Sequence, residues 1–189
     1  MTSIFADFLL EPVRAARRVR ERTPLGSALL AFIFAGCSLA AADAVLGRGT
    51  GFGGLAFALA LACVLRLTTG VVMTAAVHLS AEALGGQGRA GPLFALMGFS
   101  DLGWALLPPA ALIARALGRG AWTGVVLAAA AGLVVLALRA RSVRLHYGFS
   151  RARAWTAVGL PYLAAAGLAL LALGFAVWGT VHQLVKVFA

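Results

Sequence analysis

Long apolar runs, separated by short glycine-rich or arginine-rich segments, dominate the pattern of this chain. A helix needs about 20 mostly apolar residues to cross the hydrocarbon core of a bilayer. Five runs reach or approach that length, and each contains at most two charged residues. They cover about 25–46, 55–84, 93–114, 122–138 and 154–178. The pattern therefore predicts an all-α, polytopic membrane protein in which residues 25–189 form a bundle of five transmembrane helices.

Residues 1–24 are too polar to belong to this bundle. Pro12 is compatible with the first turn of a helix. Beyond it, apolar residues fall on one side of the helix and arginines occupy much of the rest. We therefore predict a basic amphipathic arm that lies on anionic lipid headgroups. A solvated basic tail is the alternative interpretation.

Two of the runs do not fit a straight crossing. The second run corresponds to about 45 Å of helix, which exceeds the hydrocarbon thickness by about 15 Å. This helix must tilt, bend near Thr68–Gly70, or project from the membrane. In the third run, Pro108 and Pro109 are expected to kink or break the helix.

The composition excludes a water-soluble enzyme. Hydrophobic residues make up 62 % of the chain and charged residues only 12 %, compared with about 25 % charged residues in soluble domains. The net charge of +10 does not indicate nucleic-acid binding, because the basic residues lie in separate segments beside the apolar runs. The abundance of arginine, alanine and glycine suggests a GC-rich, bacterial genome.

The basic residues predict an orientation. With the N-terminus inside, the inner segments carry eleven basic residues and the outer segments four. The positive-inside rule therefore predicts a cytoplasmic N-terminus and an outer C-terminus, in a bacterial inner membrane. The candidates for contact with lipid headgroups or an acidic partner are Arg14, Arg17, Arg18, Arg139, Arg141, Arg144, Arg151 and Arg153.

Charged residues within the spans are costly and therefore informative. Depth along straight helices places His78 about 9 Å and Asp101 about 13 Å from the inner boundary, with Glu82 nearer to water. Arg66 and Asp43 are both expected near the outer boundary. We therefore predict an inner group of His78, Glu82 and Asp101, and an outer Arg66–Asp43 pair. The inner group is either a structural clasp between the second and third helices or a proton-sensitive or ligand site.

No combination of residues indicates catalysis, a metal or a cofactor. The serines lack a nucleophile-elbow context, and the His and carboxylate spacing matches no metal motif. Cys37 and Cys63 lie inside apolar runs. They are interpreted as small apolar residues, with a disulfide as the alternative. We therefore expect no enzyme activity, metal or cofactor.

Three stretches resemble the Yip-domain family, whose polytopic membrane proteins are named for interaction with Ypt/Rab GTPases. The first is Pro12 and the basic segment after it. The second runs from His78 to Gly88 and on through 93–100 to Leu107-Pro108, and the third is 145–154. The motif residues are Gly85, Gly86, Gly98, Phe99, Pro108, Gly148 and Ser150.

The resemblance implies five spans, a cytoplasmic N-terminus and a non-catalytic membrane role. Phe99 stands where the family often has tyrosine, and the acidic N-terminal region with an Asp-Leu-Tyr motif is absent. A Rab-type GTPase is therefore not expected as a partner. The expected partners are anionic lipids and either other membrane protein chains or a second copy of this chain.

These observations support three hypotheses for function. The leading one is a membrane adaptor or scaffold that acts through helix–helix contacts and a basic cytoplasmic surface. The second is an accessory subunit that stabilises a larger membrane complex. The third is a small transporter or channel component in which His78 and Asp101 form a gate.

Overall fold

A computed structural model describes residues 18–19, 21–47, 52–118 and 121–188, without the side chains of 52, 53, 121 and 187. Most of the predicted amphipathic arm, including Arg14 and Arg17, lies outside these residues. Within them the chain is helical and contains no strand. The α-helices are α1 (Leu25–Val45), α2 (Phe52–Ala83), α3 (Ala90–Asp101), α4 (Leu107–Ala116), α5 (Ala121–Tyr147) and α6 (Arg151–Phe188).

Five helical stretches among the described residues are long and apolar enough to cross a membrane. The predicted fold class, an all-α polytopic membrane protein, is therefore confirmed. The third stretch is composite, because a 3-10 segment, Leu102–Leu106, joins α3 to α4. Pro108 and Pro109 lie in the first turn of α4, where a missing backbone N–H breaks no helical hydrogen bond. The prolines thus begin a new helical segment.

Helix α5 extends beyond the fourth predicted span. The apolar run ends at Leu138, whereas the helix continues to Tyr147. Arginine favours the helical conformation almost as well as alanine, so a charged residue ends an apolar run without ending a helix. Arg139, Arg141 and Arg144 therefore lie on α5 and not in a loop.

Helix α1 packs closely against its neighbours because small residues lie at the contacts. A β-carbon on Gly36 would come within 2.8 Å of Cys63 Cα on α2. On α3, a β-carbon on Gly98 would lie 2.9 Å from the carbonyl oxygen of Ala28. Such close backbone approach is a typical way for membrane helices to associate. Larger apolar side chains fill the core beside these contacts, among them Phe32, Val77, Leu93, Met97, Val143 and Val158.

Candidate functional site

A buried ion cluster joins four helices within the membrane-spanning region. Asp101, at the end of α3, is fully buried between two arginines. Its Oδ2 lies 2.5 Å from Arg66 Nη2 of α2, and its Oδ1 lies 2.6 Å from Arg139 Nη2 of α5. Arg139 Nε also donates to Oδ1, at 3.2 Å. A carboxylate with no access to water is thus held by guanidinium groups from two other helices.

Two aromatic side chains complete this group. Arg139 Nη1 donates a hydrogen bond of 2.5 Å to the Tyr162 hydroxyl, which brings in α6. The guanidinium of Arg66 lies 5.1 Å from the centre of the Trp104 ring, a cation–π contact. We call Arg66, Asp101, Trp104, Arg139 and Tyr162 the Asp101 cluster. It ties α2, α3, α5 and α6 together and so serves as a polar clasp of the bundle.

The cluster corrects two predicted contacts. Arg66 pairs with Asp101 and not with Asp43, which is an exposed residue near the end of α1. Asp101 does not belong with His78, because His78 lies twelve residues, or about 18 Å, along α2 from Arg66. The predicted depths of the charged residues hold only for straight, upright helices, and they refer to backbone positions. The prediction also left Arg139 outside the membrane, so it missed the second guanidinium.

Arg139 was predicted to contact lipid headgroups, and this prediction is wrong. Its exposure is only 4 %. A buried charge must be paired, and the buried Asp101 supplies the pair. Arg139, Trp104 and Tyr162 were not predicted to join Asp101. Trp104 and Tyr162 gave a signal in the sequence, since each is an amphipathic side chain well inside an apolar run.

A second polar cluster lies where α2 ends and α5 meets α6. His78 Nε2 is 3.3 Å from Glu82 Oε1, and His78 Nδ1 is 2.5 Å from the Tyr147 hydroxyl. Because a carboxylate only accepts, Nε2 is the donor toward Glu82, and Nδ1 shares the other hydrogen bond with the Tyr147 hydroxyl. The predicted partnership of His78 with Glu82 is therefore present, but the helix that it clasps to α2 is α5.

The same end of the bundle brings the second and third Yip-like stretches into contact. A β-carbon on Gly86 would lie 2.7 Å from Phe149 Cζ and 2.8 Å from Tyr147 Cδ1. The Phe149 and Tyr147 rings stack at 5.4 Å. His146 Nε2 donates to the carbonyl oxygen of Arg89, at 3.1 Å. We call this contact between the 78–89 and 146–150 segments the motif junction.

The other motif residues shape the turns and packing of the bundle. Gly85 and Gly148 have φ angles of +82° and +69°, which L side chains rarely adopt. Ser150 precedes α6, and its hydroxyl accepts from the backbone N–H of Arg153 at 3.4 Å. Phe99 is buried in the core beside α1, and Pro108 lies in the first turn of α4. Each of these motif residues therefore has a structural role, in a turn, at a helix end or in the core.

Exposed arginines surround the motif junction. Arg141 and Arg144 on α5, and Arg151 and Arg153 on α6, are exposed, as is Arg18. We call this end of the molecule, with its Gly85–Arg89 and Gly148–Ser150 turns, the basic end. It lies where α2 and α5 end and where α3 and α6 begin.

The two cysteines face each other between α1 and α2. Cys37 Sγ and Cys63 Sγ are 3.5 Å apart, and both are free thiols. Cys63 also contacts the carbonyl oxygen of Ile33, at 3.6 Å. The thiols pack as small side chains at the close α1–α2 contact.

The five apolar helices and their internal ion cluster define a polytopic integral membrane protein. Residues 6–174 match the Yip1 domain, so the chain belongs to the Yip1 domain family. This is a family of non-enzymatic membrane proteins. No curated protein and no solved structure matches the chain.

Proposed function

We propose that this protein is a non-catalytic membrane adaptor or scaffold that binds another membrane protein chain through its last helix. Helix α6 has 38 residues, or about 57 Å, but only its first part packs against the bundle. Ala154, Ala157 and Val158 are buried, whereas no described side chain from 159 to 188 is. The proposal rests on this unpacked half of α6.

The unpacked half of α6 has a surface suited to a second helix. Gly167 and Gly174 lie on one side, in a groove of about 660 Å³. A β-carbon at either glycine would meet nothing within 4 Å. Glycines that leave such space allow two helix backbones to approach closely. The other residues of the groove are Leu170, Leu171, Phe175 and Trp178.

Lipid covers any apolar helix, so the experiment must separate lipid from protein at this groove. The protein is extracted from its native membrane in mild detergent, as wild type and as Gly167→Leu/Gly174→Leu. The two leucines fill the groove without touching the bundle. The matched control is Gly26→Leu, which also has open space but lies on α1.

We expect a partner chain to copurify with wild type and with the control, and to be lost from the double variant. A monomeric wild-type protein that leaves the membrane alone would contradict the proposal. A partner at fixed stoichiometry that is degraded without this chain would favour the accessory subunit instead. The gate hypothesis has no support, because it needs Asp101 beside His78, whereas Asp101 pairs with Arg66 and Arg139.

We further propose that the basic end faces the cytoplasm of a bacterial cell and that the C-terminus lies outside. The excess of inner basic residues supports this orientation. The test introduces single cysteines at Arg153 and at Leu117, at opposite ends of the bundle, after Cys37 and Cys63 are replaced by serine. A membrane-impermeant maleimide on intact cells should label the Leu117→Cys protein and not the Arg153→Cys protein. The reverse pattern would refute the orientation.

A further inference from the structure

A groove between α5 and α6 at the basic end collects three arginines. Arg141 and Arg144 come from α5, and Arg151 is the first residue of α6. Trp155 lies one turn further along α6 and is 46 % exposed. The remaining lining residues are Ala137, Ala140 and Ala154, and the groove has a volume of about 420 Å³.

The sequence builds this groove by helical periodicity. Positions 137, 140, 141 and 144 lie on one side of α5, and 151, 154 and 155 on one side of α6. The Gly148–Ser150 turn holds these two sides next to each other. Ala140 and Ala154 are buried where the two helices meet, and the three arginines line the cleft beside this contact.

The charge in the groove is uncompensated within the described part of the chain. Arg141, Arg144 and Arg151 form no salt bridge with a carboxylate there: Asp101 pairs with Arg66 and Arg139, and Glu82 with His78. Three like charges around one cleft repel each other unless an anion lies between them. Guanidinium groups bind phosphate oxygens in bidentate geometry, which makes phosphate a well-matched anion.

We propose that this groove binds the phosphate headgroup of an anionic membrane lipid. The arginines contact the phosphate, and an acyl chain runs past the exposed Ala137 and Trp155 toward the hydrocarbon. Trp155 stands at the interface, where tryptophan is preferred. An acidic peptide would match the arginines and leave the apolar surface of Ala137 and Trp155 uncovered, so the groove favours a lipid. The inference assigns a ligand to the proposed basic cytoplasmic surface and does not depend on the partner contact of α6.

Trp155 provides a reporter for the test. With Trp104, Trp122 and Trp178 replaced by phenylalanine, Trp155 is the only tryptophan of the protein. The protein is placed in phosphatidylcholine vesicles that contain a minor fraction of brominated phosphatidylglycerol or of brominated phosphatidylcholine. Bromine quenches a tryptophan that it contacts, so the ratio of the two quenching levels measures lipid preference.

Two variants and one matched control test the groove itself. Arg144→Gln and Arg151→Gln remove arginines from the groove. Arg153→Gln removes the same charge from an exposed residue of α6 that does not line the groove. We expect brominated phosphatidylglycerol to quench more strongly than brominated phosphatidylcholine. This preference should fall roughly fivefold in each variant of a groove arginine and clearly less in Arg153→Gln, which lowers the surface charge of the basic end without altering the groove.

Equal quenching by the two lipids would overturn the proposal. An equal fall in Arg153→Gln would also overturn it, because the binding would then be a diffuse effect of surface charge. Displacement of the lipid by inorganic phosphate or by a soluble acidic peptide would show that the groove binds a water-soluble anion. Native mass spectrometry of the unmodified protein, which should retain phosphatidylglycerol over phosphatidylcholine, keeps the test valid if a variant fails to fold. Gly167→Leu/Gly174→Leu should keep the lipid preference while losing the partner, so the two proposals fail separately.

Discussion

Gly86 lies so close to Phe149 that a β-carbon on it would come within 2.7 Å of Phe149 Cζ. The contact joins the turn after α2 to the turn between α5 and α6, which are 63 positions apart in the chain. Both turns belong to stretches that resemble the Yip family. A packing contact that only glycine permits therefore joins these two stretches.

Gly86→Ala should destabilise the protein by about 1–3 kcal/mol, because the new methyl group has no space. Besides Phe149 and Tyr147, it would meet the carbonyl oxygen of Ala81 at 2.9 Å. Thermal unfolding in detergent measures the effect. Gly159→Ala is the control, since nothing lies within 4 Å of that position and alanine favours a helix. Equal unfolding temperatures for the two variants would show that Gly86 does not pack tightly against Phe149 and Tyr147.

Asp101→Asn should destabilise the bundle by about 3–5 kcal/mol, because it leaves two buried guanidinium groups without a counter-charge. The exposed Asp43→Asn is the control and should change stability by at most about 1 kcal/mol. Unfolding in detergent, followed by circular dichroism, compares the two. The role of the Asp101 cluster as a clasp would be refuted by an Asp101→Asn protein as stable as wild type.

Tyr147→Phe should alter the environment of His78 while leaving the ring stack on Phe149 in place. The variant removes the hydroxyl that is hydrogen-bonded to His78 Nδ1. Nitrogen NMR of the His78 ring should show a changed Nδ1 resonance, and stability should fall by about 1 kcal/mol. Tyr162→Phe is the matched control, because its hydroxyl bonds Arg139 instead. An Nδ1 resonance that moves equally in both variants would contradict the hydrogen bond.

Mild oxidation should link Cys37 to Cys63 within one molecule. Their sulfur atoms are 3.5 Å apart, so a small shift brings them to the bonding distance of about 2.05 Å. Oxidation by copper phenanthroline should remove both free thiols without forming a covalent dimer. Cys63→Ser should keep its single thiol or dimerise slowly through lipid-exposed contacts. Rapid intermolecular dimers of the wild type would contradict the α1–α2 packing.

Much of the architecture could be predicted from the apolar runs. Hydrocarbon offers no hydrogen bonds to the backbone, so each long apolar run must be a helix. The positions of the helix ends were predicted less accurately where a helix leaves the membrane. Helix α5 continues from Leu138 to Tyr147 because its arginines remain good helix formers. Arg139 lies at the start of this extension. The sequence predicted it at the surface, but in the structure it is buried and pairs with Asp101.

The five membrane-spanning helices follow from the sequence alone, since local hydrophobicity and length suffice for them. The sequence also places Arg66 and Asp101 within apolar runs, but it does not place Arg139 there. Which charges meet depends on tertiary packing, because pairing requires a particular helix tilt, rotation and side-chain reach, which no single run encodes. Asp101 therefore joins Arg66 and Arg139, and His78 joins Tyr147, through contacts between segments far apart in the chain.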